Sequence, residues 1–110
     1  MPTALPIPAD LLDLRRARDA AWAELNQFVA EVEALRREQY PDPEQTDVRA
    51  SWEPEQRERL VELRAARDAA VLAVRRHPTM VRALAEGCWA ATDTALFHAS
   101  EPTSEAAEAR

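Results

Sequence analysis

Arginine and aspartate occur side by side at two places in the chain, and this pairing is the first candidate for chemistry. Arg18 and Asp19 reappear as Arg67 and Asp68 within a segment that is repeated almost unchanged. Two guanidinium groups held close together could bind an anionic ligand through charge-assisted hydrogen bonds. Alternatively, the arginine stems cover apolar surface while their charged ends reach water or a carboxylate. The second interpretation needs no ligand, because duplication of a helical segment already explains the similarity.

Histidine and cysteine, the usual ligands of soft metal ions, are scarce. His77, Cys88 and His98 are the only ones in the chain, and their spacing matches no zinc motif such as Cys-x-x-Cys. On one helix, neighbours among them would be about 15 Å apart, which is too far for one ion. The chain also lacks a glycine-rich phosphate loop and a nucleophile elbow. We therefore expect no metal, no cofactor and no catalytic activity.

The paired residues belong to a segment of the chain that occurs twice. Residues 11–21, LLDLRRARDAA, return 49 positions later as residues 60–70, LVELRAARDAA. Both copies open a stretch in which apolar residues recur at alternating steps of three and four, which is typical of helices that pack side by side. The repeat therefore indicates a helical architecture and says little about chemistry.

The first helix is predicted over residues 9–40, because Pro41 and Pro43 prevent its continuation. At 1.5 Å per residue it would be about 45 Å long, so it needs a long partner surface. Trp22 and Val29 widen its apolar face, as in a helical bundle. The predicted interface residues on this helix are Leu14, Trp22, Leu25, Phe28, Val29, Val32 and Leu35.

The segments outside the long helices are short and mostly polar. Residues 1–8 contain three prolines and are predicted to form an extended arm, and residues 41–50 connect the first two helices. Residues 100–110 have no large apolar side chain, so we predict a disordered tail there. Residues 9–99 are then predicted to form a single helical domain.

Two further helices follow the connection. The second is predicted over residues 51–77, with Ser51 as its N-cap and Pro78 directly after its end. The third is predicted over residues 78–98, with a kink at Gly87. The predicted fold class is therefore all-α: a long antiparallel helical hairpin plus a third, kinked helix, forming a bundle with coiled-coil-like packing.

Charge and hydropathy argue against several classes of function. The net charge of −6 argues against a nucleic-acid partner, which would require a basic surface. No stretch reaches the roughly 18 uninterrupted apolar residues of a membrane span. Residues 1–8 lack the basic and apolar regions of a signal peptide. We therefore expect a cytoplasmic protein without a membrane partner.

The leading functional interpretation is a small, self-associating interaction module. A homodimer would cover the part of the long first helix that shorter partner helices leave exposed, and another helical protein could take the same place. The first alternative is a helical ligand-binding or sensor domain with a pocket near Trp89, Arg18 and Arg67. The second alternative is a DNA-associated regulator, which would use a short basic face on the second helix.

Overall fold

The computed structural model describes residues 2–101, and α-helices account for most of them. In chain order these helices are α1 (Ala9–Gln39), α2 (Thr46–Ala50), α3 (Pro54–Arg76), α4 (Pro78–Ala85) and α5 (Trp89–Ser100). A 3-10 turn, Pro43–Gln45, precedes α2, and residues 2–101 contain no β-strand. The predicted all-α class is confirmed. Within the same residues, no helix is long and apolar enough to cross a membrane.

Helix α1 has nearly the boundaries that its prolines predict. It begins directly after Pro8, whose carbonyl accepts the N–H of Leu12 at 3.2 Å. Asp10 lies in the first turn, where the helix dipole favours a negative charge. The helix ends two residues before Pro41, which has no N–H and disfavours helical backbone at Tyr40. Proline therefore determines both ends of this element.

The connection after α1 contains more helix than the sequence pattern predicts. The Asp42 side chain accepts the N–H of Glu44, and the Gln45 side chain accepts the N–H of Asp42 at 3.3 Å. These two bonds form a capping box at the start of the 3-10 turn, and α2 follows at once. The predicted polar connection is therefore partly helical, because its own side chains satisfy the first backbone donors.

The start of α3 corrects the prediction that Ser51 is its N-cap. Ser51 instead terminates α2, and its N–H donates to the Val48 carbonyl at 3.2 Å. Helix α3 begins at Pro54, where the missing N–H costs nothing because the first donors of a helix have no intrahelical partner. The preceding N–H, that of Glu53, donates to Gln56 Oε1 at 2.9 Å.

The predicted helix over residues 78–98 is two helices in the structure. Gly87, between α4 and α5, has a φ of 74°, a backbone conformation that glycine adopts without strain. Its N–H donates to the Leu84 carbonyl, and the Cys88 N–H donates to the Ala83 carbonyl. These are the two hydrogen bonds of a Schellman motif, which ends a helix. The predicted kinked third helix is therefore corrected: Gly87 terminates α4 and does not bend it.

The described part of the chain divides into two compact units, of which the first comprises residues 2–18 and 70–101. Its core is formed by four buried side chains, those of Leu11, Val74, Met80 and Leu96. Three partly buried residues pack against this core: Ile7, Leu12 and Leu14. The first two turns of α1 and the end of α3 thus share one core with α4 and α5.

The predicted arm at the start of the chain is packed against this first unit. Residues 2–8 contain no helix, and the N–H of Leu5 donates to Oγ1 of Thr92 at 3.1 Å. Thr92 is fully buried, and its hydroxyl donates to the Cys88 carbonyl at 2.8 Å. At the other end of the unit, Ser100 of the predicted tail is the last residue of α5. Residues 102–110 of that tail lie outside the described residues.

The second unit, Asp19–Ala69, buries a charged residue among its apolar ones. Its buried side chains are Leu25, Val32, Leu63 and Arg36. Phe28 and Trp52 pack edge to face, with their ring centroids 6.0 Å apart. That residues 9–99 fold as a single domain stays a prediction.

Candidate functional site

The predicted interface residues of α1 differ in their burial. Five of the seven are buried or half-buried within the chain: Leu14, Leu25, Phe28, Val29 and Val32. The other two remain exposed, Trp22 at 37 % and Leu35 at 44 %. A folded copy can offer Trp22 and Leu35 to a partner, but it cannot offer Leu25 or Val32 without opening. The interface on α1 stays a prediction.

Helix α4 leaves two large apolar side chains in solvent within one turn. Leu84 is 71 % exposed and Val81 is 55 % exposed, whereas Met80 and Ala83 of the same helix are buried. Arg82 forms an ion pair with Glu86 along this helix. The exposed part of α4 therefore carries an apolar surface, and the Arg82–Glu86 ion pair lies around the helix axis from Leu84.

A cleft of about 100 Å³ lies within the first unit. Its charged lining is formed by three arginines and one acid: Arg15, Arg18, Arg75 and Asp93. Its apolar lining is formed by Val71, Val74, Met80 and Trp89. Residues from α1, α3, α4 and α5 contribute, so the cleft exists only when this unit is folded.

Arg15 is the most deeply buried of the arginines in this cleft. It is 8 % exposed, and its Nη1 lies 3.5 Å from Oδ1 of Asp93. Its guanidinium carbon lies 5.7 Å from the ring centroid of Phe97, within the range of a cation–π interaction. A buried guanidinium needs such partners, because removing a charge from water costs several kcal/mol. Asp93 and Phe97 therefore hold Arg15 at the wall of the cleft.

Two of the three predicted pocket residues line this cleft. Arg18 and Trp89 line the same cleft, whereas Arg67 is not among its lining residues. The guanidinium carbon of Arg67 instead lies 4.6 Å from the ring centroid of Trp22, and the side chain pairs with Asp68 at 2.9 Å. Ligand binding at Arg18, Arg67 and Trp89 stays a prediction.

The sequence pattern does not predict Arg15, Arg75 or Asp93 as members of this cleft. The burial of Arg15 could have been predicted, because Arg15 follows the apolar Leu11 by four residues and therefore lies on the same face of α1. Arg75 and Asp93 carry no such signal, because their approach to the cleft depends on how α3 and α5 pack.

A second buried arginine, Arg36, stabilises the connection within the second unit. Its Nη2 donates to the carbonyls of Val48 and Ser51, each at 2.7 Å, and its Nη1 donates to Oε1 of Glu53 at 3.1 Å. Its guanidinium carbon lies 4.8 Å from the Tyr40 ring centroid. Because these bonds satisfy carbonyls at the end of α2, we assign Arg36 a structural role.

His77, one of the possible metal ligands in the sequence, has a structural role in the fold. Its Nδ1 accepts the N–H of Thr79 at 3.1 Å, so its Nε2 carries the proton and donates to Oδ2 of Asp10 at 3.0 Å. This hydrogen bond lowers the pKa of the exposed Asp10 carboxyl below its ordinary value. Across residues 2–101, no three His, Cys, Asp or Glu side chains are placed to share a metal ion. His77 therefore caps α4 and holds Asp10.

No family model, no curated protein and no solved structure matches this chain. The function therefore has to follow from its residues and their contacts.

Proposed function

We propose that this chain is a small helical protein-interaction module that associates with a second copy of itself and has no catalytic activity. The observation that carries this proposal is the exposure of Leu84 and Val81 on one turn of α4. Apolar surface gains about 25 cal/mol for each Å² that a partner removes from water. Adjacent exposed apolar side chains are therefore a favourable contact surface.

Two-fold symmetry favours a second copy as the partner. Arg82 and Glu86 lie two residues before and two residues after Leu84, which places them on the other side of the helix, where they pair with each other. Two α4 helices can therefore meet at Leu84 without bringing these charges into the contact. A second copy offers the same apolar side chains, so one two-fold contact covers both exposed surfaces at once.

We retain α1 as a second contact region of the proposed homodimer. Its exposed apolar residues are Trp22 and Leu35, and a partner that covers them would extend the interface along the helix. We also propose that α1 and α3 form the antiparallel hairpin with coiled-coil-like packing. Two contacts within the second unit support this: Arg59 pairs with Glu24, and Arg67 lies over Trp22. Between these two contacts the residue number rises from 59 to 67 on α3 and falls from 24 to 22 on α1, as expected for antiparallel helices.

Sedimentation equilibrium over low to high micromolar concentrations tests the association. We expect a mass of two 12.4 kDa chains for the wild type. Leu84→Glu should give a monomer, because it places a charge at the centre of the contact. Val61→Glu is the matched control, since Val61 is similarly exposed at 64 % but lies on α3. It should leave the dimer intact.

Two further variants separate the contact regions. Leu35→Glu should weaken the dimer less than Leu84→Glu does, because Leu84 is the more exposed of the two residues, and a monomer with Leu35→Glu but not with Leu84→Glu would move the contact to α1. Arg82→Glu should leave the dimer intact, because this side chain lies on the side of the helix away from Leu84. A wild-type monomer at every concentration would contradict self-association altogether.

A further inference from the structure

We propose that the cleft of the first unit binds a short-chain carboxylate. The carboxylate group would lie toward Arg18 and Arg75, and the hydrocarbon chain would lie against Val74, Met80 and Trp89. This site is separate from the exposed residues of α4. It therefore does not depend on whether the chain forms a dimer.

The charge of the lining favours an anion. Three of the four charged residues that line the cleft are arginines, in a chain whose net charge is −6. Arginine binds carboxylates with two parallel hydrogen bonds, and it stays charged at every physiological pH. The partly buried walls strengthen this attraction, because it is screened less there than on an open surface.

The apolar lining favours an organic anion over an inorganic one. Val74 and Met80 belong to the buried core of the unit, so the wall that they form is rigid and dry. The indole of Trp89, which is 39 % exposed, closes another side. Phosphate would gain nothing from these three side chains, whereas a hydrocarbon chain would be removed from water against them.

The volume restricts the ligand to a small molecule. The cleft has a volume of about 100 Å³. It is smaller than the roughly 150 Å³ cavity that accommodates benzene. The cleft can therefore enclose a hydrocarbon chain of about three carbons, such as that of butyrate, but not an aromatic ring.

Asp93 determines the orientation of the ligand. Its carboxylate pairs with Arg15 at 3.5 Å and has the same sign as the ligand's charged group. Repulsion between the two carboxylates directs that group away from the Arg15–Asp93 pair and toward Arg18 and Arg75. The hydrocarbon chain then occupies the remaining, apolar part of the cleft.

Isothermal titration calorimetry of the full chain with sodium butyrate tests the proposal, with 1-butanol and inorganic phosphate as comparison ligands at equal ionic strength. We expect butyrate to bind at least about tenfold more tightly than either, because only butyrate combines a carboxylate with a hydrocarbon chain. Equally tight binding of phosphate would overturn the assignment of an organic anion. Equally tight binding of butanol, or no heat of binding with butyrate, would overturn the site.

Two neighbouring arginines at the end of α3 provide a matched pair of variants. Arg75 lines the cleft and Arg76 does not, yet both are exposed and each carries one positive charge. Arg75→Gln should weaken butyrate binding about tenfold. Arg76→Gln should leave it within about twofold of the wild type, as for a surface change away from the ligand. Equal losses from both variants would show long-range attraction only and would overturn the cleft as the site.

A third variant is expected to strengthen butyrate binding, whereas Arg75→Gln weakens it. Asp93→Asn removes the like charge from the cleft, so butyrate should bind several-fold more tightly, provided that the melting temperature shows a folded protein. If the folded variant binds butyrate more weakly, the proposed orientation is wrong. If it does not fold, the comparison of Arg75→Gln with Arg76→Gln decides.

Discussion

The two copies of the repeated segment, residues 11–21 and 60–70, bury different positions. The first leucine of the segment is fully buried as Leu11 in the first copy and half-buried as Leu60 in the second. For the other shared leucine the order is reversed, since Leu63 is 4 % exposed and Leu14 is half-buried. A helical repeat thus offers the same two apolar positions twice, and packing decides which of them becomes core.

The arginines of the two copies differ in the same way. Arg15 is buried with Asp93 as its ion-pair partner, whereas its counterpart Arg64 is exposed. Arg18 lines the cleft, whereas its counterpart Arg67 lies over an indole ring. Identical side chains therefore differ in role, because the elements packed against each copy supply different partners.

The largest expected effect concerns the first leucine of each copy. Leu11→Ala should lower the free energy of unfolding by roughly 2–5 kcal/mol, because it leaves a cavity in a closed core. Leu60→Ala should cost about 1 kcal/mol, because the half-buried side chain loses less contact. Urea unfolding followed by far-ultraviolet circular dichroism measures both values.

The control is the other leucine that the two copies share, where the substitution in the second copy should cost more than the substitution in the first. Leu63→Ala should cost more than Leu14→Ala, since Leu63 is the buried member of that pair. If the first copy is the more sensitive at both positions, the difference between the copies is one of overall stability and not of burial pattern.

The next effect distinguishes Arg15 from Arg64. Arg15→Gln should cost about 1–3 kcal/mol, because it removes a charged hydrogen-bonding group from a buried site. Arg64→Gln should stay within about 0.5 kcal/mol of the wild type, as for an exposed side chain. Thermal unfolding of the two variants gives the comparison, and equal costs would contradict the different burial of the two arginines.

A smaller effect tests the contact between Arg67 and Trp22. Arg67→Gln should cost about 0.5–1 kcal/mol through loss of the cation–π interaction. In a Trp22→Leu background this cost should fall, because the ring is already absent. Arg64→Gln, one turn earlier on α3, should cost the same in both backgrounds. An unchanged cost of Arg67→Gln would show that the ring contributes nothing to holding this arginine.

The smallest effect concerns Asp10, the residue that directly precedes the first copy. Because the hydrogen bond from His77 lowers the pKa of Asp10 in the folded state, ionised Asp10 stabilises the fold above the ordinary pKa of 3.8. This stabilisation is lost as the pH falls through the lower pKa of the folded protein. The melting temperatures of wild type and Asp10→Asn should therefore converge on acidification. Parallel curves would mean that this hydrogen bond does not affect stability.

The helix ends that the sequence predicts correctly are those beside proline. The boundaries of α1 follow from Pro8 and Pro41, since a missing N–H acts on the nearest residues only. The start of α3 is not predictable in this way. Ser51 has the right chemistry for an N-cap, but its carbonyl accepts a hydrogen bond from the distant Arg36. Gly87 is a similar case, because a glycine within a helical pattern is compatible with either a kink or an end.

The sequence predicts which residue types form the candidate site but not how they are arranged. Arginine at inward helix positions and an isolated tryptophan indicate a possible pocket, and Arg18 and Trp89 do share a cleft. The contacts of Arg67 within its own unit have a physical cause. A long, flexible arginine reaches whichever aromatic ring or carboxylate lies nearest, and for Arg67 that is Trp22 and Asp68.

The sequence by itself determined that this chain is helical and that proline limits its longest helix. These features depend on residues within about four positions of one another. Only the tertiary structure decided that Leu11 and Leu63, and not Leu60 and Leu14, are core residues. It also decided that Arg15 and Arg18 meet a cleft while Arg67 meets a ring. The physical reason is that helical periodicity offers several equivalent inward positions, and only contacts between distant segments select among them.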